Sequence, residues 1–416
     1  MKTFLIGAVL ALVSCVAFAQ TPEQIFAAPN VRRALDYLKA TEAETINDQV
    51  KACEIPAPTF EEAQRAAWFK QRFTELGLQN VRIDRIGNVI GERPGAGGGP
   101  VLVLAAHLDT VFPEGTDVRV KREGAMLSAP GIGDDSRGLG VIVGVARALN
   151  EAKIATAGTI IFVANVGEEG LGDLRGVRHL FNEELKGRAT HFISVDGTGL
   201  GIVNTAVGVV RYRVTLRGPG GHSYGAFGLP SPIHALGRAI EKIARFQVPK
   251  APKTTFNVGK IEGGTSVNSI AHTAWMEVDM RSESAAELGK LEAEFKRVVQ
   301  ASLDEENLRS LGGVGDKKLT AELKIVSQRP AGVTPADAPI VQIARAADRA
   351  LGLTTKLGSG STDSNIPISL GIPAITIDGG GAGFGTHALD ERFDTTNSHL
   401  GTQRALLIAL GIVGVR

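Results

Sequence analysis

Only two cysteines, Cys15 and Cys53, occur in the 416 residues of this chain. Two thiols cannot build a disulfide framework or a thiolate metal cage, so any metal site has to use histidine and carboxylate. Net charge is nearly absent too: 45 basic residues against 44 acidic ones leave +1, interspersed along the chain. No basic stripe marks a nucleic-acid surface. Beyond the N-terminus there is no apolar run long enough to span a bilayer, no internal repeat and no low-complexity tract.

What is present describes a globular protein long enough for two domains, with 43% hydrophobic and 21% charged residues. The 51 glycines are more than average, and many cluster near the motifs described below, where tight turns are needed. Lys2, the apolar run Phe4–Phe18 and Ala17-Phe18-Ala19 read as a secretory signal over residues 1–19, so the mature protein is expected to begin at Gln20 and to be secreted or periplasmic. Leu12-Val13-Ser14-Cys15 resembles a lipobox, but the apolar run continues past Cys15, which makes a lipid anchor the lesser reading.

Residues 30–80 are helical in pattern, and Thr59-Phe60-Glu61-Glu62 reads as a capping box opening a helix through Phe69 and Phe73 to Gly77. Strand-like runs at 81–92 and 100–106 flank the turn Gly97-Gly98-Gly99. Helix 137–151, strand 158–165, helix 173–184 and strand 191–196 then alternate in the rhythm of an α/β sheet covered by helices. The pattern changes at 207. Strand 207–217, helix 231–245, strands 254–262 and 273–281, helix 284–305 and strand 319–328 spell β-α-β-β-α-β, the ferredoxin-like order, with Ser284 and Glu287 as a second capping box. After Pro330 the α/β rhythm returns in helix 336–351, strand 373–378 and helix 401–412. A small domain, 207–328, is therefore expected within a larger one made of 20–206 and 329–416.

The strand Val101–Ala106 ends in His107-Leu108-Asp109. Two residues apart on an extended chain, His107 and Asp109 leave on one face, where a carboxylate can hold one imidazole nitrogen and free the other for a metal. Gly131-Ile132-Gly133-Asp134-Asp135 places two acids before an apolar helix, and capping alone would account for them. Gly167-Glu168-Glu169-Gly170 closes the strand IIFVANV; adjacent residues there point opposite ways, so one glutamate can bind metal while the other moves protons. Asp196 ends FISVD, and His387 lies in a glycine-rich loop after IPAITID. In open α/β sheets, chemistry gathers beyond the carboxyl ends of the strands, so these residues can share one crevice. Two histidines with three carboxylates suit a pair of divalent ions, zinc or cobalt better than magnesium.

The ordered set HLDTVFPEG, GIGDDSRG, NVGEEG, VDG, RGPGGHS and GTH resembles the M20 family of co-catalytic zinc metallopeptidases over essentially the whole mature chain. The resemblance implies a zinc-peptidase-type α/β catalytic domain with an inserted ferredoxin-like lid and dimerisation domain. It implies two Zn2+ ions (Co2+ or Mn2+ as substitutes), with His107 and His387 binding one each, Asp134 bridging, and Glu169 and Asp196 completing the set. Asp109 would orient His107, and Glu168 would be the general base for a hydroxide shared by the metals. A cis peptide between Asp134 and Asp135 is implied too. His222 matches a lid histidine that holds the substrate carbonyl, often in the partner subunit of a homodimer; Asn268 and Arg281 match lid positions that contact substrate. Gly358–Asp363 lacks the lysine of a phosphate-binding loop and resembles the family's substrate-side loop. One departure is Ser136, followed by Arg137, where many relatives have lysine. The expected activity is hydrolysis of short peptides. Aminopeptidase, carboxypeptidase, dipeptidase and N-acyl amino acid deacylase remain open because they share this core. A peptide- or metal-binding protein on the same fold is the rival, against which the presence of Glu168 speaks.

Overall fold

The computed structural model describes residues 20–309 and 317–416, a mixed α/β architecture with two main sheets. The leader read in residues 1–19 lies outside the described residues. Among the described residues no helix is long and apolar enough to cross a membrane.

The larger sheet has its centre in Thr159–Asn165, Val101–His107, His191–Val195 and Ala374–Ile377, adjacent in that order and mutually parallel. These strands read as unbroken apolar runs because helices cover both faces, as parallel sheets require. Leu102, Leu104 and Phe162 pack toward the face carrying helices Ser136–Glu151 and His399–Val413; Val103, Val163 and Phe192 pack toward Leu180 and Phe181 on the other. Gly201–Ala206 continues the sheet antiparallel to Ala374–Ile377, and Lys356–Gly360 and Gly332–Val333 both pair with it. Since the four central strands run one way, their carboxyl ends lie along one edge.

Two expectations fail near the start of this domain. The run 81–92 is a hairpin, Gln79–Ile83 with Val89–Arg93, because Asp84 Oδ1 accepts the amides of Ile86, Gly87 and Asn88 and turns the chain. The capping box at Thr59 does not form. Helix Ala63–Glu75 begins after Glu62, which makes no side-chain cap, and Thr59 Oγ1 donates instead to Asp109 Oδ2 at 3.0 Å. A buried carboxylate competes for that hydroxyl more strongly than a helix end open to water.

The smaller sheet orders its strands Thr254–Gly263, Thr273–Ser282, Gly208–Arg217 and Thr320–Arg329, all antiparallel. In chain order this is 2-3-1-4, the arrangement expected of a ferredoxin-like unit. Helices Pro232–Ile243 and Ala285–Arg309 cover one face, where Tyr212, Val214, Met276 and Met280 meet Leu236 and Phe295. Alternation sends Arg211, Arg213, Glu277, Asp279 and Arg281 to the other face. Ser284 Oγ accepts from Glu287 N at 3.4 Å, while the Glu287 carboxylate turns to Lys290 and leaves the second capping box half made.

Candidate metal centre

Three strands of the parallel core each deliver one part of the site. His107 is the last residue of Val101–His107 and is almost wholly buried. Thr159–Asn165 leads through Gly167 into Glu168 and Glu169, and Asp196 follows His191–Val195. Gly167 has φ of +70°, and a Cβ there would lie 2.0 Å from Arg175 Nη1, so only glycine lets the chain turn here. Helix Ser136–Glu151 is capped by Asp135, whose Oδ1 accepts from Gly138 N at 3.0 Å and whose Oδ2 accepts from His107 N at 2.9 Å.

That capping separates the two acids. Asp135 is spent on backbone, whereas Asp134 faces outward between both histidines: Oδ1 lies 3.0 Å from His107 Nε2, and Oδ2 lies 3.0 Å from His387 Nε2. Glu169 Oε1 is 2.9 Å from the same His387 nitrogen. Asp134, Glu169 and His387 thus bring donor atoms together within 4.8 Å, and His107 and Asp196 do so with Asp135. The peptide between Asp134 and Asp135 is cis, as the resemblance implied.

Carboxylates here outnumber the cationic side chains able to neutralise them. Burial, reinforced by Asp134, pushes the Asp196 carboxyl well above its ordinary value. Burial also pushes the Glu168 carboxyl up to about 8, against the opposing pull of Arg329. The Asp134 and Glu169 carboxylates raise the His387 imidazole to about 10. A crowded set of oxygen and imidazole donors with more carboxylates than cationic side chains fits divalent cations.

Asp109 works differently from the expectation. His107 Nδ1 lies 3.0 Å from the Asp109 main-chain carbonyl, while the carboxylate stands 3.6 Å away. The Asp109 carboxylate instead accepts from Glu168 N and Glu169 N, both at 2.9 Å, and from Thr59. Burial alone would raise this carboxyl; the His107 ring and the two amides overcome that and hold it below the usual range. Asp109 therefore orients the imidazole through its backbone and the Glu168-Glu169 turn through its side chain.

Sequence reasoning missed Glu391. Its Oε1 accepts from Gly133 N at 2.8 Å and Asp134 N at 3.0 Å, and its Oε2 accepts from Gly131 N at 2.9 Å. Arg392–Asp394 also pairs with Met126–Ser128, so the loop of His387 and the loop of Asp134 are fastened together twice. An acid four residues beyond the histidine was the only sign in the sequence. Arg329 was missed as well; it donates to Glu168 Oε1 at 2.9 Å. Ser136 and Arg137, the departure from the family pattern, turn away from the metal donors: Ser136 Oγ closes the loop on Gly131 O, and Arg137 donates to Gly379 O and Ser398 O.

Of the three lid candidates, His222 belongs to none of the acid–histidine groups. His222 is exposed in a short strand, Gly221–His222, paired with Ser269–Ile270, and its Nδ1 accepts from Tyr224 N and Gly225 N. Asn268 is exposed beside it, its carbonyl accepting from Ser223 N. Arg281 pairs with Asp279 on the open sheet face.

Among known proteins, the profile of peptidase family M20/M25/M40 matches residues 103–410. The uncharacterized protein YqjE of Bacillus subtilis is 25% identical over 354 residues, covering 81% of this chain and 90% of its own length. Carboxypeptidase G2 of a Pseudomonas strain is 30% identical over 201 residues, 47% of each chain. In fold, a tripeptidase of Staphylococcus aureus matches with a TM-score of 0.72 at 24% identity, over 88% of this chain and 97% of that one. A Bacillus subtilis protein described as a dinuclear metal-binding peptidase of the M20 family matches with a TM-score of 0.66 at 18% identity, over 90% and 99%. The profile match spans most of the chain and every candidate metal ligand, so the chain belongs to peptidase family M20/M25/M40 and is a metallohydrolase of peptide or amide bonds.

Proposed function

We propose that this chain is a secreted di-zinc peptidase acting on short peptides. The observation that carries the reading is the Asp134 carboxylate, which offers one oxygen to each of two imidazoles at 3.0 Å, with Glu169 grouped with His387 and Asp196 with His107. His107, Asp134 and Asp196 would hold one ion, and Asp134, Glu169 and His387 the other. Such a pair supplies Lewis acidity to the scissile carbonyl and a water that ionises near neutral pH.

Glu168 sits beside this set with Oε1 engaged by Arg329, which leaves Oε2 to take the proton of the attacking water and pass it to the leaving amine. Asp109, by fixing the Glu168 and Glu169 amides, keeps base and ligand in one register. The oxyanion needs a donor beyond the metals, and His222, with Asn268 and Arg281 on the substrate side, is the lid's candidate. Since His222 is exposed and outside the acid–histidine groups, the reading includes a homodimer in which the lid serves its partner's site. Exposed Tyr224, Phe227 and Val267 near His222 support it, Phe227 and Val267 lining a cavity of about 1180 Å³ on the lid. N-acyl amino acids are the second substrate class, because N-acetylcysteine deacetylase of Bacillus subtilis is 25% identical over 264 residues.

The test is turnover of free and terminally blocked di- and tripeptides and of N-acyl amino acids by the metal-loaded protein, with and without chelator. Chelator-sensitive cleavage is expected, and the blocked terminus that abolishes it identifies the end that is read. Glu168→Gln should lower kcat by about 10³-fold with both metals retained; normal turnover by that variant overturns the mechanism and favours a binding protein.

A further inference from the structure

Arg329 is the last residue of the lid strand Thr320–Arg329, at the point where the chain returns to the catalytic domain. It is nearly as buried as the core, its side chain only 7% exposed. One guanidinium grips one glutamate twice: Nη1 donates to Glu168 Oε1 at 2.9 Å, and Nη2 donates to the Glu168 main-chain carbonyl. Nη1 also approaches Ser361 Oγ at 3.4 Å. Holding a carboxylate and the carbonyl of the same residue fixes the side-chain torsions between them, which neither contact alone would do.

The two residues before Arg329 are fastened to the same stretch. Ser327 Oγ and Gln328 N both donate to Asp173 Oδ1, at 2.7 and 2.9 Å, and Arg178 donates to the Gln328 carbonyl. A register shift between Ile325 and Ser327 falls just before these last residues, which stay paired with Arg211, Val210 and Val209 while their side chains and Gln328 N reach Asp173 and Glu168. The lid therefore ends on the segment that begins with Glu168.

We propose that Arg329 is a positioning residue that sets the orientation of Glu168 and ties it to the placement of the lid. The proposal rests on the reading of Glu168 as general base. A guanidinium meant for a substrate carboxylate would keep its donors open to the cleft, whereas both terminal nitrogens here are committed inside the protein. Lysine, with one point charge, can reach the carboxylate or the carbonyl but cannot reproduce the double grip.

The experiment is a double-mutant cycle on the metal-loaded full chain with Arg329→Met, Arg329→Lys and Glu168→Gln, reading kcat, KM, metal content and melting temperature. Arg329→Met is expected to lower kcat by about 100-fold, with KM within about two-fold of the parent and two metals bound. Arg329→Lys should recover part of the loss. In the Glu168→Gln background neither change should cost more, because the group being positioned is gone. Additive losses, or a raised KM with kcat unchanged, overturn the proposal. If Arg329→Met does not fold, Arg329→Lys carries the same cycle with the same criteria. A Glu168→Gln variant that turns over normally defeats the base assignment itself, whereas an inactive Glu168→Gln with a fully active Arg329→Lys and Arg329→Met defeats the Arg329 proposal alone.

Discussion

The carboxyl edge of the large sheet and the open face of the lid sheet are both rich in charge and use it in opposite ways. On the edge, His107, Asp109, Asp135 and Glu391 are buried; main-chain amides of another segment hold each of the three acids, and the Asp109 carbonyl, two residues on, holds His107. On the lid face, Arg211 and Arg213 pair across to Asp279 and Glu277 of the neighbouring strand, and Arg281 pairs with Asp279 along its own, all in contact with water. Buried charge is tolerated only when every partner is fixed, whereas exposed pairs are worth little and can rearrange. The catalytic edge is thus built before substrate arrives, and the lid face is free to meet something else.

The largest expected effect is at the centre of the edge. Asp134→Ala removes the carboxylate whose two oxygens lie 3.0 Å from the two imidazoles, and it should abolish measurable turnover and leave fewer than two metals per chain by elemental analysis. Full metal content with near-normal rates would remove Asp134 from the bridging role. The lid offers the matching break. His222→Ala should lower kcat by about 10² to 10³-fold, as expected for loss of one oxyanion donor, with metals and melting temperature unchanged. Mixing it with inactive Glu168→Gln protein, under conditions that exchange subunits, should restore part of the activity if each lid serves the other site. No restoration despite exchange would place His222 in its own chain's site.

How far these two regions were legible in the sequence follows from how each is built. Val101–His107 and Thr159–Asn165 announced themselves because a doubly covered parallel strand must be continuously apolar, and a polar residue at its end has few reasons to be there. The lid order followed from period alone, since one face of each strand is open. What could not be read was which oxygen meets which nitrogen. Asp109 and Asp135 are acids in motif positions, yet their carboxylates serve backbone amides contributed by residues up to about 60 positions away. Thr59 looked like a cap because capping is the local option, and the winning partner was 50 residues away. Glu391 and Arg329 gave no pattern because their partners are 257 and 161 residues distant.

Glu391 tests whether the edge is as prearranged as it looks. Glu391→Ala strands the amides of Gly131, Gly133 and Asp134, and it should cost about 3 kcal/mol in denaturant unfolding of the metal-free protein. On the proposed two-metal reading it should also weaken metal binding at Asp134, Glu169 and His387 more than near His107, read by stepwise metal titration. Equal weakening of both would make Glu391 a general support for the loop and not a register between the two ligand segments.

The smallest effect belongs to the lid face and is the sharpest control on the contrast. Arg213 pairs with Glu277 at 2.8 Å and stacks 4.1 Å above the Trp275 ring, on a side chain that remains 42% exposed. An ion pair and a cation–π contact in water are each worth at most about 1 kcal/mol. Arg213→Ala should therefore change stability by no more than about 2 kcal/mol, leave kcat and KM as they were, and lose the ion-pair part of that small effect in high salt. A large loss of stability would mean that this face is covered in solution, which unfolding midpoints measured against protein concentration would detect as a dependence absent from a monomer. The charge ladder would then belong to an interface, and the distinction between a fixed edge and a free face would hold only for the isolated chain.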